Sequence, residues 1–317
     1  MTRPATHIWR LFKWGITLAR HRALVGIEHD PNAPGPVRRM AKLARWVAFT
    51  GTSGERDYAG AFRDIGPAAI KLGQTLATRP DLVGEEPARN LLKLQDDLPP
   101  VPFEKIRASI EASFEQPLEA LWSEFDPVPI GAASIAQVHR ATTTDGRQVA
   151  VKVLRPGVRE RFARDIDTYE WAAAHLESFG VEAARLRPRL VIANFKRWTN
   201  RELDLRREAA SASELAEHMV GTEGYEIPGI DWDRTNGRVM TVDWIDGIKI
   251  SNTEALKAAG HDTEEIASRL VLAFLKQAIA AGGDVSDEML AEFREDLQLG
   301  LGQSRDNLGM MEMPDYI

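Results

Sequence analysis

The stretch Gln148-Val-Ala-Val-Lys-Val-Leu154 decides how this chain is read. It alternates and is rich in valine, the pattern of a buried strand. Lys152 sits inside it, with Val149-Ala-Val151 before and Val153-Leu154 after. One reading is a surface lysine at a strand edge. The apolar flanks favour the other, a lysine turned into a cleft. Immediately upstream, Thr144-Asp-Gly-Arg147 carries the Asp-Gly pair of a tight hairpin turn. Before that turn Val128, Ile130 and residues 134–143 are strand-like, and Arg155-Pro-Gly157 closes the lysine strand. The order is thus strand, tight loop of small residues, strand, turn, and a third strand bearing a lysine.

Working outward toward the start, the pattern becomes helical. Residues 103–122 read as a helix pair split at Pro117, and Pro99-Pro-Val-Pro102 as a rigid linker. Residues 85–97 form a helix with Leu91, Leu92 and Leu94 as its apolar face. Residues 55–78 look helical, with Gly66-Pro67 kinking or splitting them. Residues 37–49 are another helix after the break Asn32-Ala-Pro-Gly-Pro36. Ile8, Leu11, Phe12, Gly15, Leu18 and Ala19 share one helical face flanked by Trp9 and Trp14, which predicts an amphipathic first helix. Such a helix either lies on a membrane surface or docks on its own protein. Toward the end, a helix reaches Gly180 and a long one spans 188–218. Short strands are expected at 225–228 and 238–242, and helices down to about residue 299. The boundaries this suggests are a basic helical start (1–50), a helical extension (51–125), a mixed lobe (126–247) and a helical remainder (248–317).

The formal net charge of -7 over 317 residues gives no sign of nucleic-acid binding. The charge is uneven, however: the first 45 residues are basic, which suggests an anionic surface as partner. With no cysteine, disulfides, thiolate catalysis and cysteine metal sites are excluded. The seven histidines contain no His-x-x-x-His pair, so no zinc site is indicated. The longest apolar stretch, 270–281, is broken by Lys276 and Gln277 and falls short of the roughly 20 residues that span a bilayer. A cytoplasmic protein is expected, peripheral on the inner face of a membrane if its first helix is an anchor.

The chemistry follows from the lysine strand. Small residues at the first turn let backbone N–H groups approach a nucleotide's phosphates. A lysine on the third strand reaches the α- and β-phosphates and needs a glutamate from a nearby helix to hold it. Arg201-Glu-Leu-Asp-Leu-Arg-Arg-Glu208 supplies Glu202, Asp204 and Glu208 as candidates. Helical i,i+4 ion pairing is the plain alternative for such a charged run.

Three motifs occur in order. Lys71-Leu-Gly-Gln74 looks like a KxGQ motif. Pro129-Ile-Gly-Ala-Ala-Ser-Ile-Ala-Gln-Val-His139 looks like an alanine-rich loop. Glu202-Leu-Asp204 followed by Glu208 looks like an ExD motif with its trailing glutamate. Together they make the chain closely resemble the UbiB-type atypical kinases of ubiquinone biosynthesis, over roughly residues 55–280. The resemblance implies an α+β fold: a protein-kinase-like amino-terminal lobe of antiparallel sheet and long helices, a helical extension before it, and an incomplete helical carboxy-terminal lobe after it. It implies ATP as cofactor, with Mg²⁺ expected for the family, and ubiquinone-synthesis proteins as partners. Residue by residue, Lys152 would contact phosphate and Glu202 would be its ion-pair partner. Asp204 and Glu208 would line the same cleft, and Lys71 and Gln74 would sit on a helix covering it. Ile130, Gly131, Ala132, Ala133 and Ser134 would form the nucleotide loop, with Val138 beside it. Asp243-Trp-Ile245 would be the adenine hinge.

The sequence departs from the family after the hinge. No Asp-x-x-x-x-Asn follows Asp243 and no Asp-Phe-Gly occurs, so the catalytic-loop and metal-binding aspartates of a kinase are not found. Gly282-Gly283 stands where the first of those motifs is expected. Asp284 and Asp287 read as helix-start acids, so no metal ligand is assigned. The expectation is an ATP-binding protein of kinase or ATPase type with catalysis in doubt. The alternative is a non-catalytic, pseudokinase-like scaffold at a membrane surface or in a biosynthetic complex.

Overall fold

The computed structural model describes residues 4–25, 35–48, 55–94, 99–177, 187–222 and 224–280. The Gly282-Gly283 break, Asp284 and Asp287 lie outside them. The chain divides into two compact units, Met1–Ala209 with Ile230–Trp244, and Ala210–Gly229 with Ile245–Ile317. In the first unit a helical module precedes a five-stranded antiparallel sheet, the α+β arrangement expected from the sequence. The strands are β1 (Trp122–Phe125), β2 (Gly131–Ala132), β3 (Ala136–Thr143), β4 (Gln148–Leu154) and β5 (Val239–Asp243). They run in the order β1-β3-β4-β5, with the short β2 also paired to β3.

The period of two in β4 sorts its side chains onto two covered faces. Val149, Val151 and Val153 point to one side. There α7 (Phe103–Phe114) and α8 (Leu118–Leu121) contribute Ile106, Ile110, Leu118 and Leu121, with Trp122 beside them. Ala150 and Leu154 point to the other side, against Val158, Phe162 and Ile166 of α9 (Val158–Glu177), Phe195 of α10 (Pro188–Glu202), and Leu205 and Ala209 of α11 (Leu205–His218). Both faces are covered, so the strand reads as an almost unbroken apolar run. Each fully buried valine is worth about 1.5–3 kcal/mol over its exposed state.

The amino-terminal module is built from α1 (Pro4–Arg20), α2 (Gly35–Ala48), α3 (Tyr58–Ile65), α4 (Pro67–Ala77), α5 (Pro80–Val83) and α6 (Glu85–Leu91). Gly66 has φ 131 and Pro67 opens α4, so Gly66-Pro67 splits the predicted helix in two: the glycine ends the first helix in a conformation other residues avoid, and the proline starts the second. Ala59, Ile70, Ala77, Leu91 and Leu94 form a small core between these helices. Gly73 lies at its tightest point, where an added Cβ would meet Leu94 and would stand 2.7 Å from Phe62.

Four local expectations are corrected. Trp122 ends no helix; it opens β1, where the core of the α7–α8 face draws it in. Helix 188–218 is two helices broken at Leu203-Asp204, and the Asp204 carboxylate accepts from Arg206 N (3.4 Å) at the start of the second. Residues 225–228 form no strand, and only Ile230 bridges to Val242. Leu92 and Ile130, read as apolar-face and strand residues, are exposed. In the second unit, α12 (Thr253–Ala258) and α13 (Thr263–Ala280) bury Leu256, Ala273 and Leu275.

A buried polar chain fastens residues 99–101 to the sheet. Gln137 and His139 are fully buried on β3. Val101 N donates to Gln137 Oε1 (2.9 Å), and His139 Nδ1 lies 2.8 Å from the Asp126 carbonyl. A carbonyl only accepts, so Nδ1 carries the proton. Nε2 then accepts from Gln137 Nε2 at 2.8 Å. A second proton on the ring would meet a donor, and burial pushes the His139 pKa below the usual histidine value. The sign follows: a depressed folded-state pKa contributes stability above the unfolded value, about 6.5, that is lost as pH falls. The melting temperature should therefore drop between pH 7.5 and 5.5. His139→Gln should flatten that drop, and an unchanged pH slope in the variant would refute the assignment.

Candidate functional site

The site is assembled by three helix stripes converging on the Ala150–Leu154 face of the sheet. Lys152 lies on that face because it is two residues from each of these. Its cross-strand neighbours are Val138 on β3 and Met240 on β5, so the predicted Val138 sits directly beside it. On α11, Leu205, Glu208 and Ala209 fall at i, i+3 and i+4, one helical stripe. Leu205 and Ala209 are fully buried in the core, which carries Glu208 to the sheet as well. Ala209 is small, so the helix can approach closely. The result is an ion pair, Lys152 Nζ to Glu208 Oε1 at 2.6 Å, with side chains 20% and 26% exposed. Glu208 also lies in the first turn of α11, where the helix dipole favours an anion.

This corrects the expected pairing. Glu202 makes its ion pair with Lys71 (3.4 Å). On α10, Phe195, Trp198, Thr199 and Glu202 form one stripe at i, i+3, i+4 and i+7. Phe195 and Thr199 are buried, and the Lys71 ammonium lies 5.7 Å over the Trp198 ring. On α4, Ala68 and Leu72 pack against the sheet core, and Lys71 shares their stripe. The break between α10 and α11 is what separates the two glutamates. On one continuous helix, six residues would set Glu202 and Glu208 about 120° apart around the axis. A fresh start at Leu205 lets each serve its own lysine.

Gln74 belongs to the adjoining α4 stripe with Ile70, Gly73 and Ala77, and donates from Nε2 to the Leu94 carbonyl (2.9 Å). It therefore ties α4 to the end of the α6 segment. Asp204 is gripped by the Arg206 guanidinium, Nε to Oδ1 at 3.0 Å and Nη2 to Oδ2 at 2.9 Å. That hydrogen bonding holds its pKa below the usual aspartate range. Arg159 of α9 donates to the Leu203 carbonyl (2.8 Å) and to Gly237 O, fixing the break itself.

The predicted nucleotide loop is a closed hairpin tip. Gly131 pairs with Val138 and Ala132 with Gln137. Ile130 N donates to Val138 O (2.8 Å), and Ala133 N donates to Ala136 O (2.8 Å). Ser134 is fully buried, and a Cβ added at Gly131 would meet nothing within 4 Å. Small residues from Gly131 to Ser134 thus form a tight backbone turn. Asp243 ends β5 and its Oδ1 accepts from Arg147 Nη1 (3.4 Å). Trp244 N donates to Gln148 O (3.1 Å), and the Trp244 ring stacks 4.7 Å from the Arg140 guanidinium. Ile245 is exposed and belongs to the second unit. Among the described residues no group of three or more His, Asp or Glu could hold a metal ion.

Two participants escaped the sequence reading. Trp198 carries a visible signal, four residues before Glu202 on the same helical stripe. Arg155 read only as the end of a strand, yet it donates from Nε to the Ala133 carbonyl at 2.8 Å.

Comparison with known proteins places this geometry. Residues 93–287 match the family of the ABC1 atypical kinase-like domain. A Marinobacter nauticus protein named "Probable protein kinase UbiB" is 37% identical over 275 residues, which cover 86% of this chain and 50% of that protein. The chain thus spans half the length of that relative. A solved structure of Rv3197 with erythromycin from Mycobacterium tuberculosis is 27% identical, covers 68% of this chain and 51% of its own, and superposes with a TM-score of 0.41. With a matched domain over more than half its length, and the KxGQ, alanine-rich and ExD motifs within it or just upstream, the chain belongs to the ABC1 atypical kinase-like family, of UbiB type.

Proposed function

We propose that the chain binds ATP on the Lys152 face of the sheet, as the nucleotide-binding half of an atypical kinase or ATPase that supports ubiquinone biosynthesis. The observation that carries this is the Lys152–Glu208 pair at 2.6 Å, set on the face next to the small-residue hairpin tip. A half-buried ion pair is a costly way to stabilise a fold, since apolar residues of similar volume often do as well. It is the arrangement that holds a lysine ready for phosphate oxygens. When bound, ATP would supply the phosphoryl group. This chain's residues would orient it, Lys152 at the phosphates, residues 130–134 around them and Asp243 near the base. Ubiquinone biosynthesis rests on the UbiB-type resemblance.

A second reading, a scaffold at a membrane surface, has an observation of its own. The first helix docks on its own protein: Ala19 of the predicted face is fully buried, His7 Nδ1 lies 3.2 Å from Thr168 Oγ1, and Trp14, which flanks that face, packs on Tyr169 at 5.2 Å. Its Ile8 and Trp9 remain 56% exposed, and on α2 Leu43 and Trp46 are 52% and 72% exposed. Exposed Arg39 and Lys42 complete the α2 stripe at i, i+3, i+4 and i+7, and Lys13 lies 5.3 Å over the Trp9 ring. Aromatic and basic residues on one exposed face suit an anionic bilayer interface. No described helix is long and apolar enough to cross a membrane.

Titration with a fluorescent N-methylanthraniloyl ATP should give saturable binding. Lys152→Met should weaken it by about tenfold or more, the loss of a charge-assisted phosphate contact. Equal binding by both proteins would sink the nucleotide reading. For the membrane reading, co-sedimentation with phosphatidylglycerol-containing vesicles should exceed that with neutral vesicles and fall with salt. The paired change Trp9→Ala and Trp46→Ala should reduce it severalfold, and no preference for anionic vesicles would refute it.

A further inference from the structure

Among the described residues, Arg155 makes three hydrogen bonds to backbone carbonyls, in two separate segments. Its Nε donates to Ala133 O (2.8 Å) and its backbone N to Ile135 O (2.8 Å), both in the hairpin tip. Its Nη1 donates to Pro99 O (3.0 Å). Residues 99–101 join the helical module to the sheet, and they are held a second time by Gln137. Its Oε1 accepts from Val101 N (2.9 Å), and its Nε2 donates to Val101 O (3.4 Å). Gln137 is also the cross-strand partner of Ala132. Two side chains thus bond the same connecting segment, and both belong to the backbone frame of the hairpin tip.

We propose that Arg155 is a positioning residue that sets the nucleotide loop from behind and couples it to the connecting segment 99–101. A peptide unit is planar and trans. Holding the Ala133 and Ile135 carbonyls toward Arg155 therefore turns the N–H groups of Ser134 and Ala136 to the opposite side. A planar guanidinium can reach two carbonyls along diverging directions, and an ammonium on a flexible stem cannot reproduce that fork. The charge is kept although burial lowers the Arg155 pKa, because a guanidinium stays protonated in proteins. Coupling is reciprocal by linkage: a ligand that orders the loop must also steady 99–101, and freeing 99–101 must weaken the ligand.

This rests on the nucleotide reading, and the test separates the two. Hydrogen exchange and N-methylanthraniloyl ATP binding are measured on the wild type, Arg155→Lys and Arg155→Ala. Arg155→Met, which keeps the aliphatic stem, replaces the alanine variant if that one does not melt cooperatively. Expected in the alanine or methionine variant are faster exchange at the Val101 amide, the one N–H of 99–101, and at 131–136 together, and about tenfold weaker binding. The lysine variant should recover only part of the affinity. ATP should slow exchange at the Val101 amide in the wild type and lose that effect without the guanidinium. Binding by the variant within about twofold of a wild type that does bind, or exchange at 131–136 unchanged by the substitution, would overturn the clamp. A wild type that binds no ATP would fail the nucleotide reading instead, and the exchange of the nucleotide-free proteins alone then decides the clamp.

Discussion

A lysine placed on the packed face of a central strand must be met by a carboxylate, and the fold of the first unit is arranged around that requirement. Leaving the Lys152 ammonium unpaired among Val138, Ala150 and Met240 would carry a desolvation cost of several kcal/mol. Glu208 answers it from 56 residues further along the chain. It can do so because Leu205 and Ala209 bury the same stripe of α11 against the sheet. The break at Leu203-Asp204, fixed by Arg159 on the Leu203 carbonyl, frees α11 to take its own direction. The Lys71–Glu202 pair repeats the device one layer out, between the helical module and α10.

Much of this was legible in the residues. The alternation of β4, the Asp-Gly turn and the Gly66-Pro67 split each follow from local geometry that a short window contains. The motif order carried the family. What was not legible depended on tertiary contacts. The α10–α11 break has no glycine or proline to announce it, because an arginine from α9 secures it. Without that break, Glu202 looked like the partner of Lys152, and Glu208 like a residue lining the same cleft. The strand at Trp122–Phe125 was hidden because its neighbours form the end of a helix pair, and only the edge of β3 turns it into a strand. Arg155 was invisible for the same reason: its carbonyl partners come together only when the hairpin closes.

The helical module is fastened to the lobe at several points of different character. Lys71 engages Glu202 and the Trp198 ring, α1 lies on α9 through His7 and Trp14, and the connecting segment is bonded by Gln137 and Arg155. The site therefore does not consist of the sheet face alone. Its loop and its outer glutamate each have a partner in the module or its connection, so a change in the module has a physical route to the sheet face that bears Lys152.

The central claim is that Lys152 and Glu208 form a unit kept for a nucleotide rather than for stability. A double-mutant cycle on ATP affinity tests it most directly, with Lys152→Met, Glu208→Gln and the combination. If the two act as one unit, each single change should cost nearly as much affinity as both together, a strongly non-additive result. Affinity losses that simply add, or that are absent while stability falls, would contradict the account.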